Sequence, residues 1–536
     1  MMKRLALAAF IFMFALSGAE SQYVPRNQYL NGTIFEDITE SSGFDHLGHG
    51  KCTAMGDFDL DGDLDIYISV VFSDNKLFQN EGNLTFKDIT SIVRLGCPYD
   101  THGIVWADFD NNGYLDIFAA NNLESLTEQR GEVLQPNMFY LANDEGFVES
   151  SVKARIAGNT FNYSCGVTTA DVNGDGLLDI YVAEGGYRSG PECANSLYVN
   201  NGDGTYRDIA VEAGVANQGN GYCCSFSDYD NDGDSDLFVG NINDTQEPTT
   251  FVLYRNNGDG TFEDVTEKLG LARKGTCISC YWGDIDNDGD QDLFLGCSVG
   301  RAYPEPEWGA NVLFRNNGDG TFTDISKDAG VDILTNTRGS TMGDIDNDGD
   351  LDILASNSFF DTLVFINDGR GKFTESHETT GGSHFYGHGC ALGDLDNDGD
   401  LDLVGGNWRR PSASNPGKWF LFKNKTDNGN FIKVNLKGTE SNRSAVMGKI
   451  WVYDAGKKQD KSSLKSYSEV VAGSGTFPGN PLQQHFGVDN SGRYDIVVRF
   501  PSGIERIIRN VDAGKTYDIY ETDVDPAVYE KVIRDR

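Results

Sequence analysis

The apolar positions of this chain fall in short runs with period-two alternation, bounded by Gly, Asp and Asn. Sequences such as DIYISV from Asp65, DIYVA from Asp179 and DLFV from Asp236 are rich in β-branched and aromatic residues, as strands require. Nowhere after the first twenty residues does a long 3.6-residue period or a membrane-length apolar stretch occur. The pattern repeats. Each unit reads strand, nine-residue acidic loop, strand, a strand of the type Leu77-Phe78-Gln79-Asn80 or Leu313-Phe314-Arg315-Asn316, a Gly-rich turn, and a last strand as in NGDGTFEDVT from Asn257.

The acidic loops begin at Asp57, Asp108, Asp171, Asp228, Asp284, Asp344 and Asp394, spaced 51, 63, 57, 56, 60 and 50 residues apart. Four strands per unit, seven times over, predict an all-β fold: a seven-bladed β-propeller followed by a second, smaller antiparallel β domain. The seventh unit ends after the segment Trp419 to Lys423 without the NGDGTF strand, and a matching LNGTIFEDIT begins at Leu30. The N-terminal strand is therefore expected to complete the last blade and leave no open sheet edge. The expected boundaries are a signal peptide at 1–19, a propeller at 24–425, a β domain at 426–525 and a tail at 526–536.

Oxygen donors at loop positions 1, 3, 5 and 9, a glycine at 6 and a backbone carbonyl at 7 suit a hard, flexible cation, and the expected ion is Ca2+. The candidate ligands are Asp57, Asp59, Asp61 and Asp65; Asp108, Asp110, Asn112 and Asp116; Asp171, Asn173, Asp175 and Asp179; Asp228, Asp230, Asp232 and Asp236; Asp284, Asp286, Asp288 and Asp292; Asp344, Asp346, Asp348 and Asp352; and Asp394, Asp396, Asp398 and Asp402. An EF-hand needs a glutamate at position 12, where this chain has Ile68, Ala119, Val182, Val239, Leu295, Ala355 and Gly405. Asn112 and Asn173 make the second and third loops the least charged. Calcium is expected to act structurally, neutralising carboxylates that otherwise repel.

Net charge is −39, but the loops hold 31 of the 82 acidic residues, leaving 51 against 43 basic ones. The excess thus belongs to cation sites, and no basic cluster marks a nucleic-acid surface. A basic start at Met1 to Arg4, an apolar run from Leu5 to Leu16 and the small residues Ser17, Gly18 and Ala19 read as a signal peptide, predicting a secreted, extracellular product with no membrane span. Ten cysteines, all between Cys52 and Cys390, suit an oxidising compartment, and Cys224 and Cys280 stand at equivalent positions for a blade-to-blade disulfide. Sequons at Asn31, Asn83, Asn162, Asn243, Asn424 and Asn442 are candidate glycan acceptors in a eukaryotic source.

The loops and their flanks resemble the FG-GAP repeats (also written VCBS) of integrin α propellers. After them NFIKVNLKG from Asn430, Ser441-Asn442-Arg443, Gly473-Ser474-Gly475, His485-Phe486-Gly487 and FPSG from Phe500 resemble, in order, the ASPIC/UnbV domain. Together they resemble the cartilage acidic protein family. That resemblance implies a matrix or cell-surface setting. It also implies an EGF-like module after the ASPIC/UnbV domain, which this sequence lacks, having no cysteine beyond Cys390. At Ser444 to Gly448 (SAVMG) the chain departs from the more Gly-rich segment of related sequences.

No HExxH, GxSxG or P-loop motif is present, and the chain reads as a binding protein, not an enzyme. The expected partner surface is the propeller face opposite the acidic loops, on loops 121–136, 184–194, 297–310 and 407–418, with Tyr187, Arg188, Tyr303, Trp308, Trp408, Arg409 and Arg410. The partner is an extracellular protein or glycan and the chain a monomer; the alternative is a lectin or a polysaccharide-active enzyme using the same face. His49, His102 and His388, each before a glycine at the start of an innermost strand, read either as a transition-metal or substrate site on the axis or as strand-entry hydrogen-bonding groups. His485 reads as structural.

Overall fold

The computed structural model describes residues 34–523 apart from 45–47, 72, 123–134, 159–162, 186–193, 243–250, 299–308, 358–361, 377–386, 408–417, 427–429, 459 and 490–491. Seven four-stranded antiparallel sheets form the blades. Blade 5 shows the plan, with Cys277–Gly283, Asp292–Cys297, Val312–Asn316 and Phe322–Asp324 hydrogen-bonded in that order. The first strand of each blade lies against the first strands of the two neighbouring blades in cyclic order, and Gly387–Gly393 of blade 7 meets Thr53–Gly56 of blade 1. Blade 7 takes its outer strand from the N-terminal side: Phe35–Asp37 pairs with Trp419–Asn424, Glu36 opposite Lys423.

The innermost strands crowd the axis so closely that side chains are excluded at some positions. A Cβ on Gly389 would lie 2.2 Å from the Lys51 carbonyl, and one on Gly339 the same distance from that of His388. Apolar clusters fill the wedges between blades, as where Trp282, Phe251, Phe238 and Phe314 meet between blades 4 and 5. Successive strand residues face opposite sides, so every blade buries both faces and strands such as Asp236–Asn241 are buried throughout.

The C-terminal domain has two small sheets around Ile432, Val434, Ile450, Val452, Phe486, Ile496 and Val498. Its pairing is antiparallel as expected except between Phe431–Lys437 and Lys515–Tyr520, which run parallel. No helix among the described residues is long and apolar enough to cross a membrane. Residues 1–19 lie outside the described residues.

Of the described sequons, Asn83 is exposed, whereas Asn424 and Asn442 are fully buried. The Asn424 amide donates to the Ile345 and Leu401 carbonyls and that of Asn442 to Val446. Those two positions are not glycan acceptors in the folded chain, because a glycan would remove the donors and open the core. Asn31, Asn162 and Asn243 lie outside the described residues.

Candidate metal centres

Each acidic loop makes the same turn, and its sequence follows from backbone geometry. Position 4 is left-handed in Asn111, Asn231, Asn287, Asn347 and Asn397, with φ between 55 and 60°, and the position-6 glycines have φ of 84 to 100°. Asn and Gly tolerate these angles; Leu60, at φ 61°, occupies position 4 of the first loop at a cost. The position-1 carboxylate holds the turn shut: Asp284 accepts the amides of Asp288 at 3.1 Å and Gly289 at 2.8 Å.

Position 9 is buried and belongs to the scaffold as much as to an ion. Asp292 accepts the Ile285 amide at 3.0 Å and the Asn316 amide at 2.7 Å; Asp65, Asp179, Asp352 and Asp402 repeat the arrangement. The asparagine that ends the third strand then reaches back one blade. Asn316 Nδ2 donates to the Tyr229 carbonyl at 2.8 Å, and Asn80, Asn200, Asn256, Asn367 and Asn424 do the same to Leu395, Phe109, Val172, Ile285 and Ile345. Position 4 reaches forward: Asn231, Asn287, Asn347 and Asn397 donate to Asp290, Asp350, Asp400 and Asp63 at 2.7 to 2.8 Å. Sequence reasoning gave position 7 only a carbonyl role. Its side chain is the acceptor for the neighbouring loop, a use invisible without knowing which loops adjoin.

In five of the loops three of positions 1, 3, 5 and 9 converge. Ligand oxygens of Asp57, Asp59 and Asp61 lie within 4.8 Å of one another, as do those of Asp108, Asp110 and Asp116, of Asp228, Asp230 and Asp236, of Asp284, Asp286 and Asp292, and of Asp344, Asp346 and Asp348. Burial and neighbouring carboxylates push Asp57 up to about 6 and Asp65 and Asp284 up to about 8, against the local amide donors. Buried oxygens of Asp59, Asp228, Asp236 and Asp286 have no hydrogen-bond donor. An oxygen-liganded divalent cation fits this donor set and satisfies those atoms. Asp171, Asn173 and Asp175 form the corresponding turn in blade 3, where Asn173 and Asp171 both accept the Asp175 amide.

The C-terminal domain sits on this loop-bearing face. Lys449 lies 2.7 Å from Asp228 and from Asn231 Oδ1, Lys433 lies 2.6 Å from Asp394, and Ser444 Oγ accepts the Asp108 amide at 2.9 Å. The SAVMG segment is thus a docking loop. Residues 472–480 leave this domain and enter the axis. The innermost strands leave backbone groups unpaired there, and the segment pairs them: Gly475 N donates to Cys224, Thr169 N to Ala472, Thr53 N to Phe477 and Met55 N to Gly479 at 3.0 to 3.3 Å. The Thr476 hydroxyl lies between the Tyr222 and Ile278 carbonyls at 2.7 and 2.8 Å, and Asn480 accepts the Leu392 amide. A Cβ on Gly473 would meet Val105 at 2.5 Å and the Val167 carbonyl at 2.6 Å, so this entry needs glycine.

Phe477 fills the centre and brings two of the three axial histidines together, with ring centroids 5.7 Å from His102 and 5.0 Å from His388. His102 Nε2 contacts the Lys51 ammonium, itself 3.0 Å from Asp100. Burial, then the Lys51 charge, lowers His102 to about 4; burial and the Arg338 and Lys51 charges lower His388. Phe477 packs between His102 and His388, and Lys51 engages His102 Nε2, which fits the strand-entry, structural reading for these two. His485 also has a structural place, 2.9 Å from the Gly399 carbonyl.

The described cysteines are all buried thiols. Cys223 and Cys277, which are not equivalent along the repeat, have Sγ atoms 3.5 Å apart, and Cys280 also lies beside Cys223. The expected partner-face residues Tyr187, Arg188, Tyr303, Trp308, Trp408, Arg409 and Arg410 lie outside the described residues.

A family model, FG-GAP-like repeat, matches residues 29–119, 171–239, 228–295, 302–355 and 360–405. The chain belongs to the FG-GAP-like repeat family. Beyond the FG-GAP repeats, the ASPIC and UnbV model matches residues 438–526. This FG-GAP chain is similar to Cartilage acidic protein 1 of Xenopus tropicalis, 28% identical over 275 residues that make up 48% of this chain and 40% of the relative. To the Homo sapiens protein of the same name it is 24% identical over 331 residues, 57% of this chain and 46% of the relative. It spans less than half the length of both. A crystal structure of BBS1N in complex with ARL6DN, soaked with mercury, matches with a TM-score of 0.42 and 8% identity, covering 73% of this chain and 97% of that one.

Proposed function

We propose that this FG-GAP protein is exported and works outside the cell as a calcium-stabilised, matrix-type binding module, not as an enzyme. The observation that carries the calcium reading is the convergence of three loop carboxylates within 4.8 Å in blades 1, 2, 4, 5 and 6, with buried oxygens lacking donors. Ca2+ held by positions 1, 3, 5 and 9 supplies positive charge where burial otherwise drives the carboxylates to stay protonated. The matrix setting rests on the FG-GAP and ASPIC/UnbV combination and on the cartilage acidic protein relatives; export rests on the N-terminal 1–19 pattern.

The C-terminal domain covers the loop-bearing face and its 472–480 segment fills the axis, so the binding surface is assigned to the opposite face, on loops 121–136, 184–194, 297–310 and 407–418. Its partner is an extracellular protein or glycan, met by the monomer. The test has two arms. Elemental analysis of the purified secreted protein should find several equivalents of calcium, and essentially none would sink the metal reading. Proximity labelling in the secreted environment should give partners lost in a Trp408→Ala, Arg409→Ala protein of unchanged melting temperature; partners retained by that variant would move the surface elsewhere.

A further inference from the structure

The loop of blade 7 stands out in having lysine ammonium groups in contact with positions 1, 3 and 5. The residue one before the third-strand amide that donates to position 9 is Gln79, Leu141, Val199 and Ile366 in blades 1, 2, 3 and 6, none of them charged. In blade 4 it is Arg255, paired with Glu263 at 2.9 Å, and in blade 5 it is Arg315, whose charge acts on Asp286 and Asp288. In blade 7 it is Lys423. Its ammonium bridges positions 3 and 5, contacting Asp396 and lying 2.9 Å from Asp398. Lys423 stands opposite Glu36 across the ladder, yet its charge turns to the loop.

A second ammonium completes the set. Lys433, the side chains of the pair 2% and 1% exposed, lies 2.6 Å from Asp394 and 2.7 Å from Asn397 Oδ1. Positions 1, 3 and 5 of this loop therefore each face an ammonium within the chain. A dication entering here must displace Lys423 or accept its repulsion at close range; Lys449 and Arg443 approach only position 1 of the blade 4 and blade 2 loops. Lys449 in blade 4 is no equivalent, because it touches position 1 and leaves Asp230 and Asp232 facing the turn.

We propose that Lys423 and Lys433 take the place of a divalent ion in the 394–402 loop, making blade 7 the metal-independent blade of the ring. The placement has a physical sense. Blade 7 is the seam, joining the N-terminal strand to the last three strands of the propeller, and its loop hydrogen-bonds blade 1 through Asn397 and Asp63 at 2.7 Å. With ammonium groups from its own strand and from the adjoining domain, closure of the ring does not wait for an ion. This inference rests on the calcium reading of the remaining loops.

Hydrogen–deuterium exchange on the full secreted chain, with calcium and then with EGTA, tests it. Peptides covering 284–292 and 344–352 should lose protection at least tenfold on chelation while 394–402 changes less than twofold. Asp286→Asn should lower the calcium count by one and Asp396→Asn leave it unchanged. Lys423→Gln should raise the count by one and make the 394–402 peptide sensitive to EGTA. Loss of protection at 394–402 together with the other loops in the wild type overturns the proposal, as does a count unmoved by Lys423→Gln in a folded protein. If no loop responds to EGTA, the calcium reading itself fails and takes this inference with it.

Discussion

Phe477 of the C-terminal domain and His388 of blade 7 lie ring against ring, centroids 5.0 Å apart at 42°, at the centre of the propeller. Phe477 is 1% exposed and also meets Tyr222 and His102. The two domains therefore share one core. Removing that ring leaves a cavity no neighbour can fill, because the strands around it are fixed by their blades. Phe477→Ala is expected to cost about 3–5 kcal/mol by denaturant titration, and a loss below about 1 kcal/mol would show that the segment contributes no packing.

The asparagine staples can be ranked by burial. Asn316 is buried and its amide holds the preceding blade at Tyr229, so Asn316→Ala leaves a carbonyl without a donor and is expected to cost about 1–3 kcal/mol. Asn231→Gly, which keeps the left-handed turn unstrained, breaks the exposed bond to Asp290 and the Lys449 contact and should cost less, about 1 kcal/mol. Equal losses in paired denaturation curves would contradict this ordering.

Leu60 is the one position-4 residue with a side chain ill suited to its backbone, at φ 61°. Leu60→Asn should stabilise the fold by about 1 kcal/mol, seen as a rise in Tm of a few degrees at constant calcium. A fall in Tm would mean that the leucine makes a packing contribution larger than the strain it carries.

Calcium removal should be costly because each ion binds the folded loops alone. At a free concentration a thousandfold above Kd, a site adds about 4 kcal/mol, so EGTA is expected to lower Tm by ten degrees or more. An unchanged melt would count against structural calcium.

Glu184 gives a pH dependence separate from the loops. Fully buried, with Ser196 Oγ at 3.4 Å, it is raised by burial to about 8. The folded chain thus keeps its proton when the unfolded chain has lost it, and stability falls as pH rises from about 4.5 to about 8. Glu184→Gln should be close to wild type at pH 5 and more stable by a few kcal/mol at pH 8.5. A gain that is the same at both pH values would refute the assignment.

The repeat was legible in the chain because its information is local. Alternation gives strands, the DxDxDG spacing places oxygens around one turn, and the missing last strand of unit seven matches LNGTIFEDIT near the start. The Cys223–Cys277 contact was not legible, since the two thiols meet across neighbouring blades and lie far apart along the chain. Nor were the staples, although the LFxN pattern was visible, because the Asn316 acceptor Tyr229 lies a blade away.

By itself the sequence determined the β class, the number of blades and the candidate cation ligands, each set by spacing within about ten residues or by a regular period. Only the tertiary structure decided that residues 472–480 fill the axis, that the C-terminal domain covers the loops, and that Lys423 and Lys433 occupy blade 7. Those contacts join groups distant along the chain, and packing of the closed ring, not any local preference, brings them within hydrogen-bond reach.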